Sequence, residues 1–410
     1  MKHSTDRILT THVGSLIRPP RLLEFLRAKQ GGRPYDEDAY AACLKEAVAE
    51  VVRQQAHAGI DVVSDGEFGK AISWSQYALE RLSGFERRPF SGGNPWTRGA
   101  DRERFKGFYA EMDGKDKGAT TADSVVVGPL HYTGQAALQR DIDDFKAALK
   151  DVDVAEGFLP VAAPSSVVPD KKNEYYKNDD ELQVAVAEAM RAEYKAIVDA
   201  GLLVQLDDAR AAVTYDRMVP PQTFKDYHRW LERQIEIMNH ALESIDPSRV
   251  RYHVCWGSWP GPHVTDVPLK DIVKTLLKAR VGAFVIEGAN PRHEHEWRVW
   301  SDVGLKDKVL ISGVISHATN VVEHPELVAE RIVRLAKLIG RERVVAGTDC
   351  GFAQGPFYRR VHPEIMWAKL EALAAGARLA SKELWRRRAK ARLVRKTSRP
   401  AAKRRAGGRR

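Results

Sequence analysis

Short apolar runs alternate with longer amphipathic stretches along nearly the whole chain. The runs ILTTHVGS (8–15), DVVSDGE (61–67), SVVVGPL (124–130), FLPVAAP (158–164) and LVQLDD (203–208) are followed by RYHVCWG (251–257), AFVIEGA (283–289), VLISGVI (309–315) and VVAGTD (344–349). Most are rich in Val, Ile and Leu without strict alternation, a pattern that predicts strands buried on both faces. Between them the spacing is helical. In 37–58, Tyr40, Cys43, Leu44, Ala47, Val48, Val51 and Val52 recur at i, i+3, i+4 and i+7, with Asp36 placed to cap the start and Gly59 just past the end. Residues 181–200 end at Gly201, and 325–339 open on Pro325 and stop at Gly340. This alternation predicts parallel βα units and an α/β fold, a single (β/α)8 barrel of the TIM type over residues 1–380. Nine strand candidates compete for eight barrel positions, so one is an extra strand, a lead-in or not a strand. Residues 84–122, rich in Gly and charge, read as a long irregular excursion.

Composition changes this picture in three places. The 410 residues are 43% hydrophobic, which supplies a sizeable core. No apolar run approaches the roughly 20 residues of a bilayer span, and the N-terminus carries no apolar signal region, so a cytoplasmic protein without a membrane is expected. The net charge of +10 belongs to one end: residues 381–410 hold fourteen Lys or Arg against one Glu, which leaves residues 1–380 at −3. That end reads as a disordered basic tail. The three cysteines, Cys43, Cys255 and Cys350, do not suggest a disulfide framework and read as reduced thiols.

Polar residues gather at strand ends, and in a barrel the C-terminal strand ends converge on the active site. His253 and Cys255 lie two apart on one strand, so their side chains point the same way. Glu287 ends the next strand and Cys350 follows the last. One imidazole, two thiolates and one carboxylate suit tetrahedral Zn²⁺. On spacing alone, buried small cysteines and a hydrogen-bonded core histidine fit the same residues. Ser15, Glu67 and Asp207 also end strands, where acidic residues commonly cap the following helix; Asp208 is an alternative to Asp207. His12 faces the same way as Gly14 and is a further candidate to line the mouth and bind substrate. His317 follows VLISGVI. His293 and His295, in NPRHEHE (290–296), diverge at helical spacing and read as a solvated helix start, and His324 and His362 each precede Pro and read as turn residues.

From His12 to Trp385 the sequence resembles the catalytic C-terminal domain of the cobalamin-independent methionine synthase family. The resemblance is carried by TTHVGSLIRP, GIDVVSDGE, VQLDDA, HVC, FVIEG, GVISHATN and VAGTDCGF, in the family's order. It implies a short core form with one barrel, in which His253, Cys255, Glu287 and Cys350 bind zinc. It further implies that Ser15 touches the substrate carboxylate, that Glu67 and Asp207 hold its ammonium group, and that His317 supplies a proton to the leaving group. The partners implied are a small-molecule thiol, homocysteine, and a methyl donor, a methyl-folate or methyl-corrinoid, with methionine as product. The thiol is expected to displace Glu287, ionise on the metal and attack the electrophilic carbon.

Two departures keep other readings open. The segment AAPSSVVP (162–169) lacks the aromatic residue that stacks on the pterin in folate-using members; Trp74, Tyr132 and Trp256 are candidates to replace it. The stretches HVCWG, NPRH and VEHPELVA also resemble epoxyalkane:coenzyme M transferase, which implies a thiolate opening an epoxide, with an extra cation near a sulfonate head group. A reading of another class, a non-catalytic binder of nucleic acid or an anionic surface, rests on the basic tail alone. That tail lacks interleaved aromatics beyond Trp385, so nucleic acid is not an expected partner.

Overall fold

Eight of the nine predicted strands form one parallel barrel. The computed structural model describes residues 1–89, 98–115, 122–167 and 172–397. The barrel strands are β1 (Leu9–Thr10), β2 (Val62–Val63), β3 (Glu156–Ala162), β4 (Leu203–Asp208), β5 (Val250–Val254), β6 (Ala283–Ile286), β7 (Val309–Ile315) and β8 (Val344–Thr348). Each pairs in parallel with its neighbour, β1 pairs with β8, and a parallel bridge between Thr11 and Val62 joins β1 to β2. The ninth candidate falls outside: Ala122–Val126 pairs with Phe85–Pro89 and Lys172–Asn173 in a separate three-stranded sheet. The excursion at 84–122 is therefore partly regular. It also contains helices Ala100–Arg104 and Lys106–Lys115, while 90–97 and 116–121 lie outside the described residues.

At least one α-helix follows each strand, the last before the next strand being α1 (Glu37–Ala58), α2 (Gln135–Leu149), α3 (Asp179–Asp199), α4 (Phe224–Ala241), α5 (Leu269–Leu276), α6 (Val299–Val303) and α7 (Pro325–Ile339), with α8 (Pro363–Thr397) after β8. The signals read at their ends are in place. The Asp36 side chain accepts from the Ala39 N–H, and Gly59 ends α1 at φ +86°. All seven apolar residues read in α1 are buried. Helix α8 closes against the start of the chain: the Ile8 N–H donates to Ser381 Oγ, and Trp385 Nε1 donates to the Thr5 carbonyl. It runs to Thr397, so the boundary read at 381 falls inside a helix; residues 398–410 lie outside the described ones. No helix among the described residues is long and apolar enough to cross a membrane.

Candidate metal centre

The C-terminal ends of β5 and β8 bring three of the four predicted ligands together. His253 lies on β5, and Cys255 follows it. Cys350 stands two residues beyond β8. The three are buried, and their ligand atoms all lie within 4.8 Å of one another. The two Sγ atoms are 3.7 Å apart. A tetrahedron built on Zn–S bonds of about 2.3 Å has an edge of about 3.8 Å, so the spacing suits a shared zinc ion. His253 adds a second sign. Register sets Asp207 beside it, and Nδ1–H donates to Asp207 Oδ1 at 3.0 Å, whereas the buried Nε2 has no hydrogen-bond partner. A fully buried imidazole nitrogen without a partner is costly, and a metal ion would satisfy it. The residues present fit zinc.

The thiols are not equivalent. The hydrogen bond with Cys350, together with the Gly257 N–H at 3.3 Å, holds Cys255 below the ordinary thiol range, whereas Cys350, bonded to that sulfur and buried, is driven well above it. Cys255 is thus the more acidic of the two thiols.

Glu287 stands beside this trio without belonging to it. Its Oε1 accepts from the Trp256 N–H at 3.2 Å and its Oε2 from Asn290 at 3.3 Å. Burial, then the charges of Cys255 and Asp349, push its carboxyl up to about 8. Asp349 escaped the sequence reading. Its Oδ1 accepts from the N–H groups of Gly288 and Ala289 at 2.8 and 2.9 Å, which ties the residues after Glu287 to the one before Cys350. Gly313 makes room for it: an added Cβ would collide with the Asp349 carboxylate.

The remaining predicted residues separate into two groups. Ser15, Glu67, Asp207 and His317 are buried at the same strand ends. Ser15 lies against Gly351, where an added Cβ would clash with its side chain. Glu67 has a left-handed backbone, φ +63°, and burial raises its carboxyl to about 7, with Lys70 opposing and Asp207 adding to the shift. Asp208 is used up elsewhere: Oδ1 accepts from the N–H groups of Arg210 and Ala211, and Oδ2 from the Tyr252 hydroxyl. That leaves Asp207 as the carboxylate facing the site. His317 donates from Nε2 to the Ser258 carbonyl at 3.1 Å, and its buried Nδ1 has no partner. Burial lowers it to about 3, so the imidazole is neutral. His12 behaves differently. Its Nδ1 accepts from the Gly14 N–H and its Nε2 donates to Gln55, so neither ring nitrogen remains for a ligand.

Of the aromatic candidates, Trp74 packs against Ala209, Cys255 and Cys350. Trp256 is buried with Nε1 on the Val267 carbonyl, and Tyr132 is buried too. His295 is exposed as expected, but His293 is not: it is buried between Glu296 (2.8 Å) and Asp266 (3.0 Å). Asp266 also takes His263 Nδ1, whose Nε2 faces the Trp259 carbonyl. Every partner of these two rings is an acceptor, so both are imidazolium ions. His324 accepts from the Glu326 N–H at the start of α7, and His362 does the same for Glu364, as turn residues do.

Known proteins can now be set beside this geometry. The chain is 25% identical over 382 residues to a methionine synthase of Saccharolobus solfataricus, covering 92% of this chain and 96% of the other. A methionine synthase of Sulfurisphaera tokodaii is 25% identical over 379 residues, covering 92% and 93%. The chain is related to the methionine synthases. Among solved structures, a B12-independent methionine synthase from Shewanella sp. W3-18-1 in complex with selenomethionine superposes with a TM-score of 0.67 at 20% identity, over 93% of this chain and 99% of that one. This second likeness speaks to the barrel alone. No family model matches the chain. The resemblance to the methionine synthases thus runs through the whole barrel rather than through the quoted motifs only.

Proposed function

We propose that this protein is a zinc-dependent S-methyltransferase that methylates a small thiol, homocysteine, to methionine. The observation that carries the reading is the His253, Cys255 and Cys350 trio, with two sulfurs at tetrahedral spacing and an imidazole nitrogen left bare. The relatives named methionine synthase support it. His253, Cys255 and Cys350 would hold the metal, with Glu287 alongside. Bound there, zinc supplies the positive charge that keeps an added thiol ionised at neutral pH.

The protein's own groups do the rest. Glu67 and Asp207 place two carboxylates where an ammonium group can sit, with Ser15 nearby. Asp207 also fixes the His253 tautomer through Nδ1. His317, neutral and bare at Nδ1, can accept a hydrogen bond there from an incoming group and so orient it. Burial of the centre under Trp74 keeps water from the reacting carbon.

The test is zinc content per chain, followed by product analysis with homocysteine and methyl-tetrahydrofolate, or homocysteine and methylcobalamin, or coenzyme M and an epoxide. Methionine formation that vanishes in Cys255→Ser supports the reading. Turnover that survives complete metal removal defeats it, and turnover only with the epoxide pair replaces it by the alkyltransferase reading.

A further inference from the structure

A cation is built in beside the two carboxylates. Lys70 is 7% exposed. Its Nζ lies 3.5 Å from Glu67 Oε1, 3.4 Å from the Trp74 carbonyl and 4.4 Å from the centre of the Tyr77 ring. An ammonium has three donors, and its bonds to a carboxylate close to roughly 2.7–2.9 Å. Both oxygen contacts of Lys70 are longer than that. Lys369, the other buried lysine among the described residues, reaches Glu323 at 2.9 Å and also bonds the Val321 carbonyl. Lys70 is thus buried and loosely held, a costly state unless an anion completes its shell.

Its place is set by the fold. Arg18 Nη2 donates to the carbonyls of both Glu67 and Lys70, which fixes the turn that carries them. Trp74, whose carbonyl Lys70 touches, packs on the cysteine pair. Lys70 therefore contacts both Glu67 and the backbone of the residue whose side chain packs on the cysteines.

We propose that Lys70 determines substrate class by binding the carboxylate of an α-amino-acid thiol whose ammonium group sits on Glu67 and Asp207. The assignment rests on the zinc–thiol reading above. A zwitterion matches both partners at once. A thiol with an ammonium group alone leaves Lys70 unanswered, a thiol with a carboxylate alone leaves Glu67 and Asp207 unanswered, and a sulfonate thiol does the same to the carboxylates.

The experiment uses the full chain loaded with Co²⁺, titrated with homocysteine, 3-aminopropane-1-thiol, 4-mercaptobutanoate and 2-mercaptoethanesulfonate while sulfur-to-cobalt absorption is followed. The wild type is expected to bind homocysteine about 30-fold more tightly than 3-aminopropane-1-thiol, the effect of one charge-assisted bond to a buried group. Lys70→Met should collapse that ratio to about 3 or less, and Lys70→Arg should retain most of it. A ratio near one in the wild type overturns the proposal without any variant having to fold. A wild-type ratio kept by Lys70→Met overturns it as well, and 2-mercaptoethanesulfonate binding more tightly than homocysteine overturns the amino-acid assignment. Absence of any spectral response to all four thiols defeats the zinc–thiol reading itself, and this proposal with it.

Discussion

Asp207 is the most informative single position to perturb. Its Oδ1 accepts from two buried donors, His253 Nδ1 at 3.0 Å and Gln205 Nε2 at 2.8 Å. Asp207→Asn keeps an acceptor there but removes the charge. Charge-assisted bonds are about twice as strong as neutral ones, so the loss is about 1 kcal/mol, or five- to tenfold in zinc affinity. Asp207→Ala leaves the imidazole N–H buried without an acceptor and frees the ring to change tautomer. That costs about 2–3 kcal/mol, or about 30- to 150-fold. The assay is competition for zinc against a chromophoric chelator, read beside a thermal melt. Asp208→Asn is the control, because Asp208 serves backbone N–H groups and Tyr252: it should lower the melting temperature while zinc affinity per folded molecule stays put. Zinc affinity of Asp207→Ala within twofold of wild type would falsify the orienting role, and with it the assignment of His253 Nε2 as a ligand.

Other outcomes follow from the same structure. Chelation should lower the melting temperature, and added zinc should restore it, since a ligand at about a thousand times its Kd contributes about 4 kcal/mol; a melt indifferent to chelator contradicts the site. Gly313→Ala puts a Cβ 2.9 Å from the Asp349 Cα and into its carboxylate, so calorimetry should show a loss of about 1–3 kcal/mol or more. Against the opposing pull of burial, Asp266 raises His263 to about 9, and Asp266 with Glu296 raises His293 to about 10, from an ordinary 6.5. Raised values mean that the protonated rings stabilise the fold fully below pH 6.5 and lose that contribution as pH climbs through 9 and 10. Denaturant midpoints should therefore fall between pH 7 and 10, and less so in His293→Gln; an unchanged slope in that variant would contradict the assignment.

The barrel was legible because its strands are buried on both faces and its helices carry their own punctuation. VLISGVI and LVQLDD coincide with β7 and β4, and Asp36, Gly59 and Pro325 mark helix ends as read. SVVVGPL looked no different from a barrel strand, because local apolar content does not record which sheet a strand joins. The trio was legible through the period of a strand and through the family resemblance. Asp349 was not, because its work is done by hydrogen bonds to backbone N–H groups about sixty residues away. His293 was misread as solvated because its partner Asp266 comes from another loop. Asp207 was read for its charge, while its bond to His253 follows from cross-strand register, which no single strand reveals.

The pairing of β1 with β8 has a consequence for how the centre is assembled. Cys350 reaches the other two ligands only when β8 has docked, and β8 docks where α8 has clasped residues 5–8. An emerging chain can present His253 and Cys255 long before their third companion exists in space. A metal held by all three residues would therefore require the closed ring, and would tie the strand that shuts it to the wall opposite the seam.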